Sequence, residues 1–255
     1  MHHSKYTYDE RYRAGYREKL SGYEFARWVA LDHFFRKVIN VTEPKNILDY
    51  GCGNGLFYPL LQLLYPHAEI FGADISSVAI EQLQGKYVEF SGRTCVIHKN
   101  KTNFADGFFD MVVSIEVMEH VDDLQAYIAE IFRLLKPGGK FIWTTPCGNK
   151  YSIEHIYSYA KRLIERTSEG YGRWKWEDPG HLRRLKSDEI EHILLQSGFS
   201  GVLFRFRAHL FSFVCTQLRA KKFISETLAN KFMMLDYDLF RMLPNAASMI
   251  GCATK

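Results

Sequence analysis

The segment from residue 46 to residue 55 constrains the fold of this chain more than any other. It reads Asn-Ile-Leu-Asp-Tyr-Gly-Cys-Gly-Asn-Gly, so a short apolar run ends at the acid Asp49 and a glycine-rich turn follows at once. An apolar segment comes next, from Leu56 to Leu64. Glycines in such a turn let the backbone approach a ligand closely, and exposed N–H groups at a helix start favour an anionic or hydrogen-bond-accepting group. The segment therefore predicts a strand, a tight turn and a helix that bind a nucleotide-like cofactor.

Two familiar nucleotide sites do not fit this turn. The dinucleotide-binding fingerprint requires a glycine or alanine three residues after its second glycine, where this chain has Leu56. The phosphate-binding P-loop requires a Gly-Lys-Ser/Thr triplet, and the sequence contains none. Both kinds of nucleotide enzyme are therefore disfavoured.

The turn resembles motif I of the class I S-adenosylmethionine (SAM) methyltransferases, which has an acid, one residue and then Gly-x-Gly-x-Gly. Three later segments resemble the same family in the same order, namely residues 69–76, 109–121 and 134–143. The resemblance implies an α/β fold, with a Rossmann-like, seven-stranded, mostly parallel sheet, helices on both faces and helical cover segments. We predict strands near residues 46–50, 69–73, 94–98, 110–115, 139–145, 201–207 and 248–254.

The resemblance implies that SAM is the cofactor and S-adenosylhomocysteine its product. Asp74 ends the second predicted strand, 21 residues after Gly53, where a carboxylate can accept hydrogen bonds from both ribose hydroxyls. The family usually has another acid near the end of strand 3. This chain lacks it, so we expect Asn100, Asn103 or the backbone to replace that acceptor. The residues that we expect to bind the cofactor are Asp49, Tyr50, Gly51, Cys52, Gly53, Asn54, Asp74, Ile75, Ser76, Asn100, Ile115 and Glu116.

The expected chemistry is methyl transfer to a small organic acceptor. An O–H nucleophile is weak until it loses its proton, so a base is expected near the carboxyl ends of the strands. His120 follows strand 4, and His181 precedes the helix that begins near Ser187. We predict that one of these two histidines is the base and that the acceptor atom is oxygen, with nitrogen and carbon left open.

A metal site is an alternative at the same place. Glu116, Glu119 and His120, with the distant His181, resemble a cluster found in ubiquinone-pathway O-methyltransferases and small-RNA 2′-O-methyltransferases, some of which use a divalent metal. The same run is widespread in small-molecule methyltransferases without a metal, and acids near a helix start are expected from the helix dipole. We therefore assign no metal ligand. A metal-assisted RNA-end 2′-O-methyltransferase and a SAM-binding regulatory protein without turnover remain alternatives.

We expect the chain to form a single domain over residues 1–255. Its predicted parts are a helical cover (1–42), a cofactor-binding core (43–146), a lid insertion (147–186) and a C-terminal part (187–255) with a helical insertion at 208–245. In that insertion, apolar residues repeat at helical spacing and are flanked by lysines and arginines. The favoured interpretation is a helical pair that packs on the domain or on the second subunit of a homodimer. The alternative is an amphipathic surface for peripheral membrane contact.

Charge, cysteine content and hydropathy argue against several other classes of protein. The net charge of +4 is spread along the chain, which argues against a nucleic-acid partner. The five cysteines are widely spaced and include no Cys-x-x-Cys, as in a protein with reduced thiols. No apolar run is long enough to cross a membrane, and no signal-peptide pattern is present. We therefore expect a cytoplasmic protein.

Overall fold

The computed structural model describes residues 5–16, 22–39, 41 and 43–255. Residues 1–4, 17–21, 40 and 42 lie outside that description, so the predicted cover at 1–42 is described only in part. The strands in chain order are β1 (Asn46–Tyr50), β2 (Glu69–Asp74), β3 (Thr94–Val96), β4 (Phe109–Ile115), β5 (Leu135–Pro146), β6 (Ile164–Arg166), β7 (Gly172–Trp174), β8 (Ser200–Arg207) and β9 (Ser248–Thr254). The helices are α1 (Lys5–Arg13), α2 (Gly22–Lys37), α3 (Tyr58–Leu64), α4 (Ser77–Lys86), α5 (Leu124–Leu134), α6 (Ile153–Ala160), α7 (Ser187–Gln196), α8 (Phe211–Ala220) and α9 (Glu226–Phe240).

Seven of the strands form one sheet in the order β3-β2-β1-β4-β5-β9-β8. The pairs from β3 to β5 are parallel, whereas β9 lies antiparallel to both β5 and β8. Each of the seven predicted strands is present, so the predicted fold class is confirmed. The small antiparallel pair β6–β7 was not predicted.

Side-chain alternation along the strands builds two cores, one on each face of the sheet. In β1, Ile47 packs in a cluster with residues of α2, α3 and α4, while its neighbour Leu48 packs in a cluster with residues of α5 and α7. Met111 and Val112 of β4 divide in the same way. Because successive strand residues point to opposite faces, a strand covered on both sides is apolar over most of its length. This explains why the central strands read as continuous apolar runs.

The predicted cover segments contain the additional elements. Helices α1 and α2 precede β1, and the segment from 147 to 186 contains α6 and the β6–β7 pair. The segment from 208 to 245 contains α8 and α9, which pack on each other, and α9 also packs on α2. The segment predicted as a helical insertion thus contains two helices. In the part of the chain that the structure describes, no helix combines the length and apolarity needed to cross a bilayer.

The packing prediction for this helical pair offered two partners, the domain and a second subunit, and packing on a second subunit stays a prediction. The predicted stripe is exposed, although the ring centre of Phe232 lies 6.1 Å from that of Phe211 in α8, and the stripe consists of Leu228, Phe232, Leu235, Leu239 and Met242. The face of α9 that packs inward carries Ala229, Met233 and Tyr237 instead. Apolar spacing alone did not reveal that this helix has two apolar faces.

Candidate active site

The glycine turn after β1 is fixed to the end of β2. The N–H groups of Gly51 and Cys52 both donate to the carbonyl oxygen of Ala73, at 2.7 and 3.0 Å. Gly53 has a φ of +53°, and a Cβ at this position would lie 2.4 Å from the hydroxyl oxygen of Tyr12. Any larger residue would therefore push the Tyr12 side chain away from the turn and would adopt a backbone conformation that favours glycine.

Asp74 connects the turn to the next helix. One of its carboxylate oxygens accepts the N–H of Gly53 at 2.8 Å, and the other accepts the N–H of Ser76 at 2.9 Å. Ser76 caps α4, because its hydroxyl oxygen accepts the N–H of Ala79 at 3.1 Å. Each carboxylate oxygen has a second lone pair, so Asp74 can hold the turn and still accept hydrogen bonds from a ligand.

A cavity of about 490 Å³ lies beside this turn, and we refer to it as the first cavity. Of the residues predicted to bind the cofactor, those in its wall are Tyr50, Gly51, Asp74, Ile75, Asn100 and Glu116. The other predicted residues are not among its lining residues, although all are buried: Asp49, Cys52, Gly53, Asn54, Ser76 and Ile115. They form the strand ends and the turn that shape this region.

The segment after β3 reaches the first cavity by a left-handed turn. Lys99 and Asn100 have φ values of 49° and 60°, and both line the cavity. The carbonyl oxygen of Asn100 accepts the hydroxyl of Tyr50 at 3.2 Å. Asn103 instead donates its N–H to the sulfur of Cys95, 3.4 Å away, and is not among the lining residues. Of the two predicted asparagines, Asn100 is therefore the one at the cavity.

Buried Asp49 lies at the end of β1, next to the glycine turn. Burial raises the pKa of its carboxyl from 3.8 to about 7, and the charge of Asp74 adds to the shift. A nearby cation would favour the ionised form. Asp49 is therefore suited to respond to a positively charged ligand.

The N-terminal helix covers the first cavity with aromatic side chains. Tyr8, Tyr12 and Tyr16 line it at spacings of four residues. Arg11 forms an ion pair with Asp178 and lies 4.0 Å from the ring centre of Tyr16. The ion pair joins this cover to the loop that precedes α7.

A second cavity, of about 360 Å³, meets the first at Glu116, which lines both. Glu116 has a φ of 55°, an uncommon backbone conformation for a residue with a side chain. Its carboxylate accepts the hydroxyl of Thr144 at 2.8 Å and pairs with Arg27 at 2.9 Å. These contacts hold the residue at the junction of the two cavities.

The two predicted histidines lie on the two sides of this junction. His120 lines the first cavity and His181 the second, and their ring centres are 4.8 Å apart. The Nδ1 atom of His120 lies 3.0 Å from the carbonyl oxygen of Gly180. Because a carbonyl only accepts, Nδ1 must carry the proton, and in the neutral ring Nε2 then bears the lone pair.

His181 lies between two carboxylates. Its Nε2 is 4.0 Å from Glu119, and its Nδ1 is 3.9 Å from Glu177. Burial alone would lower the pKa of His181, but the two carboxylates outweigh it and raise the pKa above the usual value. His181 therefore stays cationic to a higher pH than an exposed histidine.

Glu119 is fully buried beneath the histidines. Burial and the neighbouring Glu116 carboxylate raise its pKa to about 8. One carboxyl oxygen accepts the hydroxyl of Thr145 at 3.1 Å, and the other has no hydrogen-bond partner among the residues that the structure describes. Glu119, His120 and His181 each offer one ligand atom, and these atoms lie within 4.8 Å of one another. Oxygen and imidazole ligands of this kind could hold Mg, Mn or Zn.

Arg183 was not among the predicted site residues, but its hydrogen bonds hold the loop that carries His120 in place. It is buried and donates to the carbonyl oxygens of Met118 at 3.2 Å, Asp122 at 3.3 Å and Val121. It also pairs with Glu169. An arginine in an Arg-Arg pair gives no sequence signal for this role, because its partners are backbone atoms about 60 residues earlier.

The comparisons with known proteins agree with this geometry. The family described as "Methyltransferase domain" matches residues 20–203. The chain is 33% identical over 102 residues to a ubiquinone/menaquinone biosynthesis C-methyltransferase of Desulfotalea psychrophila, covering 39% of this chain and 42% of the relative. It is 30% identical over 167 residues to a ubiquinone biosynthesis O-methyltransferase of Cereibacter sphaeroides, covering 63% of this chain and 62% of the relative. The chain thus spans about two to three fifths of these curated relatives.

Solved structures share the fold. A Thermotoga maritima protein described as a SAM-dependent methyltransferase, possibly a histamine N-methyltransferase, superposes with a TM-score of 0.60 at 17% identity, covering 98% of this chain and 99% of the other. At this identity the likeness shows the fold alone. The family match, which covers most of the sequence, shows that this chain belongs to the methyltransferase-domain family, the class I SAM-dependent methyltransferases.

Proposed function

We propose that this protein transfers a methyl group from SAM to an oxygen atom of a small organic acceptor. One observation carries the proposal: two cavities meet at Glu116, with His120 in the wall of the first and His181 in the wall of the second. When bound, SAM supplies a methyl group activated by a positively charged sulfur. The protein contributes mainly by holding donor and acceptor in line.

The first cavity suits the cofactor in size and charge. Its volume of about 490 Å³ lies in the range of small-molecule sites. Its wall carries the carboxylates of Asp74, Asp122 and Asp123, and of Glu116, which is paired with Arg27, against one lysine, Lys99, so the acidic groups outnumber the basic one and favour a cationic ligand. We assign the ribose hydroxyls to Asp74, and the tyrosines of the cover exclude water.

The second cavity is assigned to the acceptor. Trp176 and Phe213 give it apolar surface, while Glu154, Glu177 and Arg184 supply polar groups that can orient a ligand. Arg184 pairs with Glu177 at 3.1 Å, so the opposite charges of these two side chains offset each other within the wall. This lining supports a small, amphipathic acceptor.

We assign the role of base to His120 and a supporting role to His181. The bond to Gly180 leaves the lone pair of His120 on Nε2, which can accept the acceptor's proton. His181 is the less suitable base, because its acidic neighbours raise its pKa and favour its cationic form. Its positive charge can instead stabilise a developing oxyanion.

A radiolabelled methyl donor and a metabolite extract test the proposal. We expect the wild-type protein to label a small molecule through oxygen. His120→Ala should lower kcat about 100- to 10,000-fold, because it removes general-base catalysis, and should change the affinity for S-adenosylhomocysteine much less. His192→Ala, which removes an exposed histidine of α7, is the matched control and should keep full activity. Full activity in His120→Ala would exclude this residue as the base.

The labelled product of this assay also shows which atom of the acceptor receives the methyl group. The relatives are named for transfer to carbon and to oxygen, and the Thermotoga structure for possible transfer to nitrogen, so similarity does not choose among them. The NMR chemical shift of the methyl group in the purified product distinguishes an ether or ester from an amine or a new carbon–carbon bond. A methyl group on carbon or nitrogen would contradict the oxygen assignment.

A metal-assisted reaction is the second candidate, favoured by the cluster of Glu119, His120 and His181. A divalent ion there would lower the pKa of an acceptor hydroxyl and orient it. Exhaustive chelation, followed by assay, separates the two mechanisms. With His120 as the base, activity survives chelation, whereas loss that Mg²⁺, Mn²⁺ or Zn²⁺ restores would favour the metal.

A further inference from the structure

Helix α9 has two apolar faces. Ala229, Met233 and Tyr237 form the buried face, which packs on α2 and α8. The outer face carries Leu228, Phe232, Leu235 and Leu239 at a spacing of four and three residues, and Met242 continues this stripe just beyond the end of the helix. At about 3.6 residues per turn the centres of the two sets lie roughly 130° apart, so they form separate faces. The chain itself can therefore cover only one of them.

The side chains of the outer stripe are too exposed to form part of a hydrophobic core. Its five side chains are between 38% and 64% exposed. Phe223 before the helix is 73% exposed, and Leu243 after it is 52% exposed, so the apolar surface continues at both ends. Contiguous exposed apolar surfaces of this kind mark interaction sites.

The charges around this stripe are mainly positive. Lys221, Lys222 and Lys231 are exposed, and within the described residues no carboxylate lies within 4.0 Å of their amino groups. The two exposed acids of the pair, Glu226 and Asp238, lie near Arg219 and Arg241 respectively. The lysines therefore give the stripe a net positive border.

We propose that this face of α9 docks on the anionic surface of a lipid membrane. Apolar side chains flanked by lysines match such a surface, because the apolar residues enter the headgroup boundary while the lysines neutralise lipid charge. A second copy of the chain matches less well. A two-fold interface presents the same patch on both partners, so it would bring the two sets of lysines together.

Docking by α9 would also bring the second cavity close to the membrane. Helix α8, which packs on α9, lines that cavity with Ser212, Phe213 and Gln217. One helix diameter, about 10 Å, then separates the docking surface from the proposed acceptor site. The docking itself does not depend on the proposed methyl transfer, and its test needs no acceptor.

Sedimentation of the full chain with vesicles tests the proposal. We expect co-sedimentation with vesicles of phosphatidylcholine mixed with phosphatidylglycerol, weak binding to phosphatidylcholine alone, and release by salt. Leu239→Glu should weaken binding about tenfold or more, because it removes apolar burial. Lys222→Glu should weaken it about fivefold or more, because one basic contact is lost. Leu63→Glu, at a 65% exposed leucine of α3, and Lys86→Glu, at an exposed lysine of α4, are the matched controls and should bind like the wild type.

Melting temperature and S-adenosylhomocysteine affinity show whether a variant that binds vesicles weakly is still correctly folded. Because Leu239 and Lys222 are exposed, the variants should keep the melting temperature and the S-adenosylhomocysteine affinity of the wild type. Failure to bind either kind of vesicle would overturn the proposal without affecting the proposed methyl transfer. So would light scattering that shows a dimer which Leu239→Glu dissociates, since the face would then be an interface between two copies.

Discussion

At the scale of single residues, Asp74 has two tasks that use the same carboxylate. It accepts the N–H groups of Gly53 and Ser76, and it faces the first cavity. A charged acceptor strengthens each of these hydrogen bonds. The residue therefore orders the turn and, in our account, holds the ribose.

Replacing Asp74 with asparagine tests this double role. Asp74→Asn keeps the shape but removes the charge, so we expect S-adenosylhomocysteine to bind roughly 10- to 100-fold more weakly, as for the loss of a hydrogen bond to a charged group. Isothermal titration calorimetry measures the change. Glu81→Gln, at an exposed acid of α4, is the control and should leave the affinity unchanged. Unchanged affinity in Asp74→Asn would contradict the ribose assignment.

Asp49 shows how the site lowers the stability of the protein without ligand. The pKa of about 7 in the folded protein lies above the ordinary 3.8, so folding favours the protonated carboxyl. Its contribution to stability is complete below pH 3.8 and is lost as the pH rises to about 7. A permanently neutral residue would not have this dependence.

Asp49→Asn should therefore be more stable than the wild type at alkaline pH. We expect its free energy of unfolding to exceed that of the wild type by roughly 1 to 4 kcal/mol near pH 8, and the difference to shrink toward pH 5. Urea unfolding at the two pH values measures it. The same difference at both values would mean that the carboxyl does not titrate as described.

At the scale of elements, the loop after β4 depends on Arg183 more than on its own sequence. The loop carries Glu119 and His120, and three of its carbonyl oxygens accept hydrogen bonds from this one buried guanidinium. Arg183 touches neither cavity and is therefore a positioning residue. Loss of its hydrogen bonds would loosen the loop while leaving the side chains of the site intact.

We predict that Arg183→Met lowers kcat at least tenfold and lowers the free energy of unfolding by about 2–4 kcal/mol, because several carbonyls lose a charged donor. Arg183→Lys keeps one donor and should recover part of kcat at equal substrate saturation. Arg166→Met, at an exposed arginine, serves as the control. Steady-state kinetics and urea unfolding measure both effects, and a variant that lost stability but kept kcat would show that Arg183 is only structural.

The elements themselves were largely predictable, for identifiable reasons. The strands of the sheet are largely apolar runs, and α5 ends at Leu134, close to Pro137 and Gly138 as predicted, although β5 begins at Leu135 and includes these two residues. The β6–β7 pair was not predicted, because its short strands, Ile164–Arg166 and Gly172–Trp174, include charged residues and form no apolar run. The exposed side of α9 was not predictable either, since the spacing of apolar residues does not say what covers them.

At the scale of the whole molecule, the sequence predicted one cavity and not the other. Residues of the first cavity cluster around the glycine turn and the strand ends, so the motifs identify many of them. The second cavity combines residues as distant as Arg27 and Ala247, which only the fold brings together. The pairing of His120 with His181 was predictable only in part. Both residues were candidates, but the distance of 4.8 Å between their ring centres depends on the loop before α7.

The central claim is that the first cavity binds a sulfonium nucleoside and not a dinucleotide, and calorimetry tests it most directly. We predict that S-adenosylhomocysteine and SAM each bind the wild-type chain with one site per chain, and that NAD added in their place produces no binding heat. Binding of NAD, with no binding of either sulfur nucleoside, would contradict the account.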